Sequence, residues 1–225
     1  MEKKNRARLF DLRKLPMDGV RLWYLAVMTP LFRLRRLTPE GKKYKERLRG
    51  PAVVVANHTT FWDPFVMAAT FWYRRMFWLA ADVVMKGKLR TALIKTAGAI
   101  EIRREIADIE AIRKATDVLK NGHLLGVFPE GGIQSGHDVQ AVKTGCVLLA
   151  VQAGAPIIPM YIVPGAAWYQ QRKVVVGKTI DPKHYFTKKI PTTADLDRVA
   201  ELIMAEMNRC RLTVGEESLC KHSSV

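Results

Sequence analysis

From residue 50 onward, short apolar runs alternate with stretches of helical periodicity. Residues 51–56 form a continuous apolar run with three valines, which predicts a buried strand. Residues 64–73 read as a helix, 76–81 as a second strand, 86–96 as a helix and 98–102 as a short strand. Between 105 and 120, Ile106, Ile109, Ile112 and Leu119 recur at helical spacing. A strand is expected at 124–128, then a helix over 138–153 that stops at Gly154. Strands at 157–163 and 173–176 and a helix over 194–212 complete the pattern. Such alternation predicts an α/β domain with a central, mostly parallel mixed sheet flanked by helices.

Residues 1–40 have a different pattern. Leu22, Trp23, Leu25, Met28, Leu31 and Phe32 sit between Arg21 and the basic group Arg33, Arg35 and Arg36. Apolar and aromatic residues with basic flanks describe a helix lying in a membrane interface; packing on the domain's own core is the other reading, and one helix can do both. Pro30 should kink or end it. The run from Leu22 to Phe32 is too short to span a bilayer, which takes about 20 helical residues. A basic amphipathic segment (1–40), a catalytic-type domain (41–214) and a flexible polar tail (215–225) are therefore expected.

Lys and Arg number 37 against 21 Asp and Glu, a formal net charge of +16. Nucleic acid, an anionic membrane face or a phosphorylated substrate would answer that excess. No helix-turn-helix, zinc or RNA-recognition signature supports nucleic acid. The 3 cysteines, Cys146, Cys210 and Cys220, have neither disulfide-framework nor zinc-ligand spacing. They fit a reducing, cytosol-facing compartment. No secretory signal pattern is visible, and neither a metal nor a cofactor is expected.

Chemistry concentrates in Asn57-His58-Thr59-Thr60-Phe61-Trp62-Asp63-Pro64, between the first predicted strand and a helix. This junction is where open α/β sheets place reactive groups. The spacing lets the Asp63 carboxylate return to one imidazole nitrogen of His58. A carboxylate so placed fixes the tautomer and stabilises the imidazolium formed on proton abstraction, and an imidazole, ordinarily titrating at about 6.5, suits a general base. The plainer reading makes His58 a structural hydrogen-bonder and Asp63 a helix cap. Phe128-Pro129-Glu130-Gly131-Gly132 follows another strand; it is either a turn or a site whose glycines admit a ligand to the backbone. Ala155-Pro156-Ile157-Ile158-Pro159 opens a strand with two prolines, which by itself suggests an edge strand. In Gly98-Ala99-Ile100-Glu101-Ile102-Arg103-Arg104, two arginines end a strand, where they could meet phosphate.

The order and spacing of these blocks resemble the glycerolipid acyltransferases of the 1-acyl-glycerol-3-phosphate acyltransferase type. Asn57, His58 and Asp63 match that family's first block, Arg104 its second, Phe128-Pro129-Glu130-Gly131 its third, and Pro156-Ile157-Ile158-Pro159 its fourth. The resemblance covers roughly residues 50–180. It implies attack by a lysophospholipid hydroxyl on the thioester of acyl-CoA or acyl-carrier protein, with His58 as base and Asp63 orienting it. Glu130 and Gly131 would position the acceptor head, Arg104 and Lys143 would answer phosphates, and Phe61, Trp62 and Phe65 would meet an acyl chain or serve as core. The third block usually continues Thr-Arg-Ser; here Gly132, Ile133 and Gln134 stand instead.

A peripheral or monotopic enzyme on the cytoplasmic face follows from this resemblance, with an anionic membrane as partner. A lipid acceptor leaves its bilayer at a cost of ~0.8 kcal/mol per exposed CH₂, so chemistry at the surface favours an enzyme held there. Three rivals stay open: an acyltransferase using a lyso-lipid without phosphate, a basic nucleic-acid-binding protein, and a non-catalytic membrane-surface protein of the same fold.

Overall fold

The computed structural model describes residues 15–81, 87–103, 108–129, 142–164, 171–186 and 191–222. Its elements are α1 (Leu15–Phe32), β1 (Arg35–Leu37), β2 (Ala52–Ala56), α2 (Asp63–Thr70), β3 (Met76–Ala81), α3 (Lys88–Thr96) and β4 (Ala99–Ile102). Then come α4 (Ile109–Lys120), β5 (Leu124–Val127), α5 (Gly145–Ala153), β6 (Ile157–Ile162), β7 (Lys173–Val176), a 3₁₀ turn (Pro182–Tyr185) and α6 (Thr193–His222).

The seven-stranded sheet has the order β1-β7-β6-β2-β5-β3-β4. From β6 to β4 all neighbours are parallel. β7 runs antiparallel to β6, and β1 lies parallel to β7 at the edge. The expected α/β architecture with a mostly parallel mixed sheet is therefore present.

β2 shows why the centre of the sheet is apolar throughout. Val53 and Val55 pack on one face with Leu119 of α4, Val147 of α5 and Ile203 of α6. Ala52, Val54 and Ala56 pack on the other with Val66 and Met67 of α2. Side chains alternate between faces, but both faces are covered, so polar alternation disappears. Fully burying each valine contributes about 1.5–3 kcal/mol. α4 is the clearest amphipathic helix: Ala111, Ala115 and Leu119 are buried at four-residue spacing, and the Asp108 side chain caps its start by accepting from Ala111 N at 3.1 Å.

Several sequence expectations change. β6 is not an edge strand despite Pro156 and Pro159, because it lies between β7 and β2. Pro159 is tolerated where the ladder on the β7 side is broken. Ile157 pairs with Ile180 and Met160 with Val176, while the intervening Gly177 N donates to Pro159 O; the missing N–H falls in this gap. β1 was not expected, and it brings residues 35–37 into the sheet rather than leaving them in a separate N-terminal segment. α5 starts at Gly145, later than the expected 138; residues 138–141 lie outside the described residues, and 142–144 are not helical. α6 runs to His222, through Gly215. An interior glycine costs a helix about 1 kcal/mol relative to alanine, which does not stop it.

α1 extends further toward the N-terminus than its apolar run, and ends two residues after Pro30. Its first turn is tied to the domain by an ion pair between Asp18 and Arg75, both buried, with Arg75 Nε donating to Asp18 Oδ1 at 2.8 Å. Leu25 packs against the cluster beneath α2, whereas Leu22, Trp23 and Val27 are exposed. No helix among the described residues is long and apolar enough to cross a membrane.

Candidate active site

The site begins where β2 ends. Asn57 is buried, and its amide makes a two-way pairing with the last residue of β6: Nδ2 donates to Ile162 O at 2.9 Å, and Ile162 N donates to Oδ1 at 2.8 Å. A side-chain amide thus stands in for a peptide group, and ties the departing chain to the neighbouring strand.

Held by that anchor, the next residues turn tightly into α2. Asp63 N donates to Thr60 O at 3.2 Å, and Asp63 is the first residue of the helix, followed by Pro64. Proline suits the first helical turn because its missing N–H would have no partner there. The Asp63 side chain, fully buried, folds back over the turn. Its Oδ2 accepts Thr59 N at 2.6 Å and Thr60 N at 2.7 Å, and its Oδ1 accepts Thr60 Oγ1 at 2.7 Å. His58 Nδ1 lies 3.2 Å from the same Oδ2. An ionised carboxylate only accepts, so Nδ1 must carry the hydrogen in this pair, and Nε2 holds the ring's lone pair.

Phe128 fixes the imidazole from one side. Val55 of β2 pairs with Val127 of β5, so the residues leaving the two strands emerge together. The His58 and Phe128 rings stack with centroids 4.2 Å apart and planes 22° apart. The His58 side chain retains 17% exposure while Asp63 has none. A base partly open to solvent, held by a sequestered carboxylate, can take a proton from an incoming hydroxyl.

Of the other residues singled out from sequence, Arg104, Glu130 and Gly131 lie outside the described residues. Lys143 is exposed just before α5, and its carbonyl accepts from Cys146 N at 3.4 Å. Because α5 leads into the start of β6, its own start lies toward the sheet edge that carries His58. Arg103, at the end of β4, is held by Asp108: its N donates to Oδ2 at 3.1 Å and its Nε at 3.5 Å. Donation from Ala111 N, then from Arg103 N, holds the Asp108 carboxyl below its ordinary range. Phe61, Trp62 and Phe65 cluster with ring centroids 5.5–6.1 Å apart. Trp62 and Phe65 pack against the core, and Phe61 is exposed.

Sequence reasoning matched Asn57 to a motif without giving it a task, and missed Thr60 and the stacking of Phe128. The polar pair Thr59-Thr60 directly after the histidine was the available signal for a turn that binds its own aspartate. Among the described residues, no group of three or more His, Cys, Asp or Glu side chains could hold a metal ion.

Residues 36–163 match the family described as Acyltransferase. A 1-acyl-sn-glycerol-3-phosphate acyltransferase of Borreliella burgdorferi is 28% identical over 110 residues, which are 48% of this chain and 44% of the relative. Another from Streptococcus pneumoniae is 31% identical over 109 residues, 48% of this chain and 40% of the relative. A lyso-ornithine lipid O-acyltransferase of Rhodobacter capsulatus is 28% identical over 133 residues, 57% and 47% of the two chains. The matches thus span less than half the length of each of these relatives. The crystal structure of the 1-acyl-sn-glycerophosphate acyltransferase from Thermotoga maritima has the same fold, with a TM-score of 0.58 over 88% of this chain and 82% of that one, at 21% identity.

Proposed function

The chain belongs to the acyltransferase family, and we propose that it moves a fatty acyl group from a thioester donor to the hydroxyl of a lysophospholipid at a membrane surface. The observation that carries this reading is the His58–Asp63 pair at the open end of β2, with Nδ1 3.2 Å from Oδ2.

In this reaction the acceptor oxygen attacks the thioester carbonyl. His58 Nε2 removes the hydroxyl proton as the new C–O bond forms. Asp63, already hydrogen-bonded to Nδ1, stabilises the imidazolium without taking the proton itself. The tetrahedral intermediate then expels the donor's sulfur, and the proton held by His58 is available to that leaving group. The acceptor oxygen is itself the nucleophile, so no acyl-enzyme forms. Glu130 and Gly131 position the acceptor head, while Arg104 and Lys143 answer phosphates of acceptor or donor. The preferred acceptor is 1-acyl-glycerol-3-phosphate, giving phosphatidic acid; the donor is acyl-CoA or acyl-carrier protein. The exposed apolar face of α1 and the excess of cations support peripheral or monotopic binding to an anionic membrane, on its cytoplasmic face.

A second acceptor class has its own support. Gly132, Ile133 and Gln134 leave the third block without its usual arginine, and one relative bears the name of a lyso-ornithine lipid acyltransferase. Crossing acyl-CoA and acyl-carrier-protein donors with lysophosphatidic acid and lyso-ornithine lipid, with products read by mass spectrometry, separates the two. Phosphatidic acid as the main product supports the first acceptor. Acylation of lyso-ornithine lipid alone supports the second. No acyl transfer with any pair overturns the reading.

A further inference from the structure

We infer that Thr60 is a positioning residue for the His58–Asp63 pair, acting through both oxygens of the Asp63 carboxylate; this rests on the reading of His58 as the base. Thr60 is bonded twice to that group: its backbone N–H donates to Oδ2 at 2.7 Å and its hydroxyl to Oδ1 at 2.7 Å. The two bonds from one residue fix the rotation of the carboxylate about its terminal bond. Oδ2 has three partners, namely Thr59 N, Thr60 N and His58 Nδ1. Among the described residues, Oδ1 has the Thr60 hydroxyl.

This asymmetry determines what loss of the hydroxyl does. Asp63 is fully buried, so water does not readily replace a lost donor, and an unpaired charged oxygen is strongly unfavourable there. Rotation of the carboxylate relieves it by turning Oδ1 toward the backbone N–H groups. The same rotation draws Oδ2 away from Nδ1, across a contact already 3.2 Å long. The imidazole then loses part of both its orientation and the charge that stabilises its protonated form.

Asp63 stabilises the imidazolium, so loosening their contact weakens the Nδ1–H hydrogen bond and slows proton abstraction by His58. Phe128, directly after β5, stacks on the ring and is unchanged by the substitution.

The test uses the full chain with Thr60→Val, which keeps the branched shape without the hydroxyl, and Thr60→Ser, which keeps the hydroxyl. Thr60→Ala serves as a second hydroxyl-free variant should valine impair folding, as judged by circular dichroism. The His58 Nδ1–H resonance, which reports its hydrogen bond to Asp63, is followed by NMR, the His58→Ala spectrum identifying the signal among the 5 histidines, and turnover is measured with acyl-CoA and lysophosphatidic acid. Expected for Thr60→Val and Thr60→Ala is an upfield move of the His58 Nδ1–H resonance as its bond to Asp63 loosens, with kcat reduced by about 10-fold to 100-fold, the scale of a misplaced catalytic group, and KM little changed. Thr60→Ser should restore both. An unmoved Nδ1–H resonance in the folded hydroxyl-free variants overturns the inference, as does a Thr60→Ser protein that behaves like them. If the wild type transfers no acyl group, the proposed activity fails while the Nδ1–H resonance still decides the role of Thr60.

Discussion

Asn57 and Ile162 exchange two hydrogen bonds, 2.9 and 2.8 Å long, although 105 residues separate them in the chain. The amide next to His58 is thereby fastened to the strand beside it. Asn57→Ala leaves a buried N–H and a buried C=O of Ile162 without these partners, each costing about 1–3 kcal/mol. Asn57→Asp should be no better, because a carboxylate cannot donate to Ile162 O. Urea unfolding checks this: both variants should unfold at lower denaturant than wild type. Wild-type stability for Asn57→Ala would mean that the pairing does not hold the turn.

Cys146 and Cys210 are buried, and desolvation pushes both thiols up to about 12. A thiol so raised stays protonated through neutral and mildly alkaline pH, and the thiolate is the nucleophile. Native protein at pH 8 should therefore leave both cysteines unmodified by iodoacetamide, as mapped by mass spectrometry, with labelling appearing only after denaturation. Cys146→Ala should keep wild-type turnover if no acyl-enzyme forms. An acyl adduct trapped on Cys146 would contradict the direct-transfer mechanism.

The inner strands were legible because both of their faces are covered, leaving unbroken apolar runs such as 51–56. β1 was not: Arg35-Arg36-Leu37 has no strand signature, and exists as a strand through its pairing with Lys173-Val174-Val175. The prolines of β6 pointed to an edge because sequence alone does not reveal that Pro159 sits at a gap in one ladder. The contact between His58 and Asp63 was readable from their spacing. The tasks of Asn57 and Phe128 were not, because each depends on which strand lies beside β2. Thr60 was missed for a different reason: its partner is close in sequence, but only the backward fold of the Asp63 side chain brings both oxygens to it.

Leu22, Trp23 and Val27 are exposed on α1, Trp23 to 64%, while Leu25 faces the core. Truncating the first 36 residues would also remove Asp18, the partner of Arg75, and two residues of β1. Point changes are therefore the cleaner probe. Leu22→Glu combined with Trp23→Glu should lower flotation with anionic liposomes and reduce activity on membrane-embedded acceptor more than on detergent-dispersed acceptor. Salt should release part of the wild type, because attraction between exposed charges and the surface fades beyond ~8 Å at physiological ionic strength. Equal flotation of variant and wild type would exclude this face of α1 as the contact.

The most direct measurement is the turnover of purified His58→Ala with acyl-CoA and lysophosphatidic acid, alongside wild type and with folding verified by circular dichroism. Removal of a general base costs about 10²–10⁴-fold, and that loss is expected in kcat, because the imidazole acts on the reacting proton. A folded His58→Ala protein that turns over at the wild-type rate would contradict the account.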